Sequence, residues 1–417
     1  MTSDGASRNT IAGSLALALE SASERATVPE LARTQVVAVL SSAFDLAESQ
    51  PMGHSVRIAY LASRIAERMG LDAGAVRAVV AAGLLHDSGI AVRATPDDIQ
   101  NPAGHTAVGG WVASQFDYDR VVQGAIRASH ERWDGGGRPR GLAAEAIPVE
   151  GLVVAAAHWA SDEGDGLDNL LRARSRLRKP LGVLVPIMGP HVAEALSDVL
   201  QSDETWIDLS SEDLALRLPD FTGEVASRDT VAQTARIFGR IVDTASREDG
   251  RSDQVAALAV ELGRQAAMPA ALLDALYVAA QLADIGLLGV PRYITDKPAI
   301  LTVNEMETMQ RHASSGGRIV EGLPGMDVVA RWIEAHHERM DGRGYPEMLE
   351  GEEIPLPARI LAVADAYCAL RAERPYRPAF GADEARRIIE GGAGQQFDRD
   401  VASMLPAALR DMEQPAA

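Results

Sequence analysis

The chain has 417 residues, 47% of them hydrophobic, which is enough for two domains that each bury a core of their own. Its formal net charge of -19 argues against a nucleic-acid polymer or an anionic membrane as the main partner, because basic patches dominate those interactions. The single cysteine, Cys368, rules out an intramolecular disulfide, and a polar N-terminus with no long apolar run predicts a soluble, cytoplasmic protein.

Apolar residues recur at helical spacing along almost the whole chain, and strand-like alternation is almost absent. Gly/Pro breaks separate the periodic stretches. In the first half, helices are predicted at 36–48, 55–69, 73–85, 104–115, 119–130, 152–161, 167–178 and 192–200. The sequence therefore predicts an all-α fold.

The same pattern divides the chain into segments. We expect a helical extension for packing or dimerisation, a first domain, an acidic linker, a second domain that repeats the first, and a frayed tail. Within the linker, Leu214 to Leu218 are candidates for a short docked piece. Their predicted bounds are, in that order, 1–29, 30–200, 201–228, 229–409 and 410–417.

A repeated motif shows that the second domain duplicates the first. Residues 129–139 read Ser-His-Glu-Arg-Trp-Asp-Gly-Gly-Gly-Arg-Pro, and residues 336–346 read His-His-Glu-Arg-Met-Asp-Gly-Arg-Gly-Tyr-Pro. The pair His54-Ser55 matches Arg251-Ser252, and His86-Asp87 matches Ala283-Asp284. Each copy can therefore be compared with the other.

Histidines concentrate at the matched positions: of the nine in the chain, only His191 lies elsewhere. Scattered core or surface histidines would not sort in this way, so the pattern favours metal ligands. Imidazoles with a carboxylate suit Fe, Mn, Zn, Ni or Co, and an Asp that follows a His at a helix end can bridge two ions. Two such ions, about 3.5–4 Å apart, activate water against a phosphodiester. The first-copy candidates are His54, His86, Asp87, His105, His130 and His158.

This ordered series of His, His-Asp, His, His and a final ligand resembles the HD superfamily of metal-dependent phosphohydrolases, specifically its HD-GYP branch. The resemblance covers nearly the whole chain, twice, and Gly344-Tyr345-Pro346 supplies the GYP motif of the second copy. It implies an all-helical fold and hydrolysis of cyclic di-GMP. It also implies one or two transition-metal ions per site, Fe or Mn first, with Zn, Ni or Co as alternatives.

The first copy departs from the family pattern mainly around the substrate. Ser129 replaces one of the paired histidines, His158 stands where the closing Asp belongs, and Ile90 takes the place of a lysine that is common in the family. Gln50 stands where an additional Glu would permit a third ion, so we expect at most two. A histidine at 158 cannot share two ions as an Asp can, which favours a mononuclear or asymmetric centre.

The second copy departs in its ligands, because Arg251 and Ala283 replace two histidines. Five candidates for a single ion remain: Asp284, His312, His336, His337 and Asp365. By resemblance, Arg374 and Arg377 are the positions that meet substrate phosphates, and guanidinium groups suit that role.

Other residues of the motifs have structural predictions. Glu131, Asp134, Glu338 and Asp341 are expected to fix the glycine turn through backbone N–H groups, and Cys368 is expected to be a small buried apolar residue. Arg138, Arg140 and Arg343 are expected to be solvated.

The function predicted from these observations is a metal-dependent phosphodiesterase acting on cyclic di-GMP or a related nucleotide. Asp87 with a metal-bound water is the predicted catalytic pair, and a phosphorylated small molecule or cyclic dinucleotide is the expected partner, with a protein partner or homodimer besides. One alternative is a non-catalytic signalling module that binds a nucleotide or docks a protein on a degenerate HD-GYP scaffold, as Ala283 favours. Another is an HD-type di-iron oxygenase.

Overall fold

The computed structural model describes residues 27–48, 50–93, 102–164, 169–220, 222, 225–373 and 378–413. Within these ranges the protein is helical and contains no β-strand, so the predicted all-α fold class is confirmed. The chain divides into two compact units, one formed by residues 31–226 and the other by 227–413 together with 27–30. Most of the predicted N-terminal extension, residues 1–26, lies outside the described residues.

The first unit contains twelve described α-helices. They are α1 (Arg33–Leu40), α2 (Ser42–Ala47), α3 (His54–Arg68), α4 (Ala73–Leu85), α5 (Ser88–Arg93), α6 (Pro102–Gln115), α7 (Arg120–Ala128), α8 (Val149–Glu163), α9 (Leu170–Arg176), α10 (Leu181–Met188), α11 (Pro190–Gln201) and α12 (Asp203–Leu209). The helix predicted at 36–48 is interrupted at Ser41, and α5 and α10 were not predicted.

Helices α3, α4, α7 and α8 pack on one another to form the core of this unit. Small residues allow the closest approach: a side-chain carbon at Gly83 of α4 would lie 2.8 Å from the Ala59 Cα of α3. The side chain of Asp72 starts α4 by accepting hydrogen bonds from the backbone N–H groups of Gly74 and Ala75. The helix ends that carry the candidate ligands are fixed by this packing.

Much of the predicted linker, 201–228, is folded as part of the first unit. Trp206 of α12 is buried, and its indole nitrogen donates a hydrogen bond to the carbonyl of Leu200 at 2.9 Å. Tyr60 of α3 donates to the Asp208 carboxylate at 2.7 Å, and Leu214 in a following 3-10 turn is also buried. The acidic composition concealed Trp206, whereas Leu214 belongs to the piece that was a candidate for docking; their burial joins the segment to the first domain.

The second unit has nine described α-helices. They are α13 (Arg228–Ser246), α14 (Arg251–Gln265), α15 (Ala270–Leu282), α16 (Arg292–Thr295), α17 (Val303–Glu321), α18 (Asp327–Glu334), α19 (Leu356–Arg371), α20 (Ala382–Gly391) and α21 (Arg399–Glu413). Helices α14, α15, α17, α18 and α19 correspond in order to α3, α4, α6, α7 and α8. The duplication read from the motifs therefore extends to the helices.

Two helical stretches, Ala73–Val92 and Ala270–Gly289, are long and apolar enough to cross a membrane. Most of each apolar window, 83% and 67%, is buried inside the protein. Burial of this extent is typical of helices in the core of a folded domain.

Candidate metal centres

Five helix ends or faces bring the first-copy candidates together. His54 opens α3, His86 and Asp87 follow α4, His105 lies in α6, His130 follows α7 and His158 lies in α8. Asp45 fixes the start of α3, because its carboxylate accepts hydrogen bonds from the backbone N–H groups of Gly53 and Ser55 and from the Ser55 hydroxyl. All six residues predicted as ligands in this copy lie in one site.

The six candidates form two groups that share Asp87. Potential ligand atoms of His54, His86, Asp87 and His158 lie within 4.8 Å of one another, and those of Asp87, His105 and His130 do so as well. In the second group the Nε2 atoms of His105 and His130 are 2.9 Å apart, and His130 Nε2 is 3.7 Å from Asp87 Oδ1. A single carboxylate thus stands between two sets of imidazoles.

The orientation of the imidazoles fits a metal site. His86 Nδ1 is hydrogen-bonded to the Gly83 carbonyl at 2.9 Å, and His54 Nδ1 lies 3.2 Å from the Ser161 hydroxyl. These contacts aim both Nε2 atoms at the site, where that of His86 meets Asp87 and that of His54 is buried without a hydrogen-bond partner in the described part of the chain. Histidine ligands are commonly oriented in this way through the second ring nitrogen.

Burial sets the charges of these groups. It lowers the pKa of His54 to about 4, helped by the charge of His86, and lowers that of His158 to about 3. Both are therefore neutral at pH 7, the form that binds metal. Burial alone would raise the pKa of Asp87, but the charge of His86 and the neighbouring imidazole of His130 hold it well below its usual range. The buried carboxylate of Asp87 and the neutral imidazoles of His54 and His158 are suitable donors for a divalent transition metal.

Sequence reasoning missed two carboxylates at this site. Glu48, at the end of α2, lies against Asp87; burial and then the charge of Asp87 raise its pKa to about 10. Asp162 lies one turn after His158, with its Oδ2 atom 3.4 Å from His158 Nε2. A carboxylate four residues after a candidate ligand on a helix was the available signal.

The second unit brings together four of its five candidates. Ligand atoms of Asp284, His312, His336 and His337 lie within 4.8 Å of one another. His312 Nδ1 is 2.7 Å from the Met309 carbonyl, which leaves its Nε2 atom 3.6 Å from Asp284 Oδ1. Tyr345 of the Gly344-Tyr345-Pro346 motif stacks on His337, with ring centroids 4.9 Å apart. The motif therefore supports a histidine of this group.

Asp365 does not belong to that group. Its Oδ1 atom accepts a hydrogen bond from Arg251 Nη2 at 2.6 Å, because the arginine at the position matched to His54 reaches across the site. This corrects the expectation that all five remaining candidates would share one ion. Arg374 and Arg377, the predicted phosphate contacts, lie outside the described residues.

The carboxylates predicted to fix the glycine turns do so in both copies. Glu131 accepts hydrogen bonds from the backbone of residues 140 and 142 at 2.8 and 3.0 Å, and Glu338 from residues 347 and 349 at 2.7 and 3.1 Å. Asp134 and Asp341 each accept one from the backbone two residues later. The turn motif is thus a scaffold for the adjoining histidines.

Comparison with known families gives a match in each half. A family model described as HD domain matches residues 52–159, and a second model with the same description matches residues 236–401. Both ranges contain candidate ligands that the structure brings together.

Two curated relatives come from Vibrio cholerae serotype O1, and both are named 3'3'-cGAMP-specific phosphodiesterases. The first is 32% identical over 306 residues, which cover 72% of this chain and 66% of the relative. The second is 27% identical over 376 residues, covering 84% and 85%. The chain thus spans slightly less than two thirds of the first relative's length.

A third relative matches a smaller part of the chain. It is a cyclic di-GMP phosphodiesterase response regulator of Xanthomonas campestris pv. campestris, 35% identical over 193 residues, which cover 46% of this chain and 50% of the relative. Among solved structures, a cyclic GMP-AMP-specific phosphodiesterase of V. cholerae matches with a TM-score of 0.62 and 25% identity. That match covers 90% of this chain and 97% of the other.

Proposed function

Because the chain belongs to the HD-domain family, with one HD domain in each half, we propose that it is a metal-dependent phosphodiesterase that hydrolyses a cyclic dinucleotide. The observation that carries the proposal is the position of Asp87 between two groups of imidazoles in the first unit. The names of the V. cholerae and X. campestris relatives support 3'3'-cGAMP or cyclic di-GMP as the substrate.

In this proposal, His54, His86 and His158 would hold one ion, His105 and His130 would hold the other, and Asp87 would be available to both. When bound, the two ions polarise the phosphodiester and activate water for attack on phosphorus. Imidazole and carboxylate donors support Fe or Mn, with Zn, Ni or Co as alternatives. Asp45 and Ser161 contribute by positioning His54, and the Glu131 turn contributes by positioning His130.

The protonation states of several side chains already favour metal binding. His54 and His158 are already neutral at pH 7, so an ion does not have to displace a proton from them. Asp87 is already ionised and offers negative charge to both positions. The single buried cysteine supports a reducing, cytoplasmic location for the reaction.

The test compares wild-type protein with a His86→Ala/Asp87→Ala variant, each purified without a metal-affinity tag. We expect the wild type to contain up to two equivalents of transition metal in the first unit and to hydrolyse 3'3'-cGAMP or cyclic di-GMP. The variant should lose the hydrolysis and the metal of the first unit. His191→Ala is the matched control, because this exposed histidine lies outside both copies of the motif.

Two outcomes would favour the alternatives. If the wild-type protein contains metal but hydrolyses neither dinucleotide, the proposal is contradicted and a non-catalytic signalling module is favoured. Iron together with substrate-dependent oxygen consumption would favour the di-iron oxygenase. Elemental analysis, product chromatography and an oxygen electrode distinguish the three.

A further inference from the structure

The second unit contains a positively charged side chain at a place that corresponds to one of the two ligand groups of the first unit. We propose that the guanidinium of Arg251 is a built-in cation that replaces a metal ion there, so that this unit binds one ion at most. The proposal concerns the second unit alone and does not depend on the reaction proposed for the first.

The contacts of Arg251 are those of a cation held by several carboxylates. Its Nη1 atom is 2.6 Å from Asp284 Oδ2, its Nη2 atom is 2.6 Å from Asp365 Oδ1 and its Nε atom is 2.8 Å from Glu248 Oε2. The arginine side chain is only 14% exposed. The three carboxylates belong to separate parts of the unit: Glu248 precedes α14, Asp284 follows α15 and Asp365 lies within α19. One guanidinium therefore joins three elements of the unit, as a metal ion would.

Comparison of the units identifies which ion position is occupied. Arg251 opens α14 as His54 opens α3, and Asp284 follows α15 as Asp87 follows α4. In the first unit Asp87 belongs to two ligand groups. In the second, Asp284 gives its Oδ2 atom to Arg251, while its Oδ1 atom faces His312 and His336 at 3.6 and 4.0 Å. The guanidinium thus occupies the place of the group that contains His54.

The two substitutions that separate the copies are complementary. Ala283 in place of His86 removes a nitrogen donor, so a metal ion would be bound there mainly by carboxylates. Arg251 in place of His54 removes a second donor and supplies the positive charge that the buried carboxylates need. A guanidinium fork binds carboxylates in fixed geometry and keeps its charge at any ordinary pH. Its charge also repels a second cation.

The other position keeps features of a metal site. The Nε2 atoms of His312 and His336 are buried without a hydrogen-bond partner within the described residues, and both face Asp284. His337 completes a group of four potential ligands. One divalent ion therefore fits beside the guanidinium, with Asp284 touching both.

The decisive experiment restores the lost donors and counts ions. All variants are made in the full chain with His86→Ala/Asp87→Ala, which disables the first site, and are titrated with Co²⁺. We expect at most one equivalent in this background and one more when Arg251→His and Ala283→His are added. Arg264→His is the matched control, because Arg264 lies on the same helix with its side chain 60% exposed. Two equivalents in the background, or no gain with the added histidines, would overturn the proposal.

A stability measurement tests the charge directly. In chelator, Arg251→Ala should lower the Tm of the second unit by at least about 5 °C, because it leaves three partly or fully buried carboxylates without their cation. Arg264→Ala should leave the Tm within about 1 °C, as expected for an exposed ion pair. An Arg251→Ala protein as stable as the wild type would contradict the proposal. If Arg251→Ala does not fold, the count of Co²⁺ ions still decides the question.

Discussion

Asp87 has a role that no single histidine of the first unit shares, because it belongs to both ligand groups. We expect Asp87→Asn to abolish metal binding at both positions, with an affinity loss of at least about 100-fold at each. His158→Ala should affect one position only. Elemental analysis after dialysis against a fixed concentration of Mn²⁺ provides the measurement. Equal losses in the two variants would argue against a shared carboxylate.

Cys368, which lies near Arg251 and Asp365, supplies a second prediction at the residue scale. Cys368 is 7% exposed, as predicted for a small apolar core residue, and burial raises its pKa to about 12 despite the opposing charge of Arg251. Because the thiolate is the reactive form, a raised pKa lowers reactivity at neutral pH. We expect native protein to react with a thiol reagent at pH 8 at least about 100-fold more slowly than denatured protein.

The pH dependence has a definite sign. A free thiol, with a pKa near 8.5, stops gaining reactivity above about pH 9.5, whereas the rate for native Cys368 should still be rising at pH 10. Stopped-flow measurements from pH 7 to 10 distinguish the two, since Cys368 is the only cysteine. A native rate that levels off near pH 9 would contradict the assignment.

Residue-scale prediction from sequence succeeded where chemistry and repeat agreed. The six histidine and aspartate candidates of the first copy were identified by type and order, and the structure places them together. Glu48 and Asp162 were missed because neither lies in the repeated motif or at a matched histidine position. Asp365 was grouped with the histidines because the sequence does not show that the Arg251 side chain lies close enough to bind its carboxylate.

At the scale of helices, the close approach of α5 to α6 determines where Asp87 and His105 lie. A side-chain carbon at Gly89 of α5 would be 1.9 Å from the His105 carbonyl oxygen. Gly89→Ala must therefore displace one helix, at a cost of about 1–3 kcal/mol, and should weaken metal binding as well. Urea unfolding and metal content are the two measurements.

A second glycine in a helix of the same unit is the control for this change. Gly124 of α7 has nothing within 4 Å of the position that an added carbon would take. Gly124→Ala should therefore be neutral or stabilise the unit by up to about 1 kcal/mol, because alanine favours the helix. Equal destabilisation by both substitutions would show that the α5–α6 contact has no special importance.

Helix prediction was most accurate for long periodic segments and least accurate at the border between the domains. Ala73–Leu85 agrees residue for residue with the structure. The segment 201–228 was predicted to be a linker from its charge, although Trp206 and Leu214 bury it against the first unit. A few apolar residues can dock an acidic segment, and composition averages conceal them.

For the whole molecule, the two units should respond differently to metal removal. A ligand that binds only the folded state stabilises it by about 2.7 kcal/mol at a concentration of 100 times Kd. The first unit should gain this stabilisation only when its ions are bound. The second unit keeps the positive charge of Arg251 in the presence of a chelator, so its stability should depend less on metal. Calorimetry of the full chain with and without chelator should show one transition that moves markedly and another that moves less. In His86→Ala/Asp87→Ala, the transition that moved markedly should no longer respond to chelator.

The duplication, the helical fold class and the chemical types of the candidate ligands could all be inferred from the amino-acid sequence alone. These follow from periodicity and from residue identities that recur in order, which are properties of the chain before it folds. Three features became visible only in the folded protein: the two ligand groups share Asp87, Glu48 and Asp162 join the first site, and Arg251 binds the carboxylates of the second. Such contacts depend on side-chain reach and helix packing between residues far apart in sequence, and these distances are set only when the chain folds.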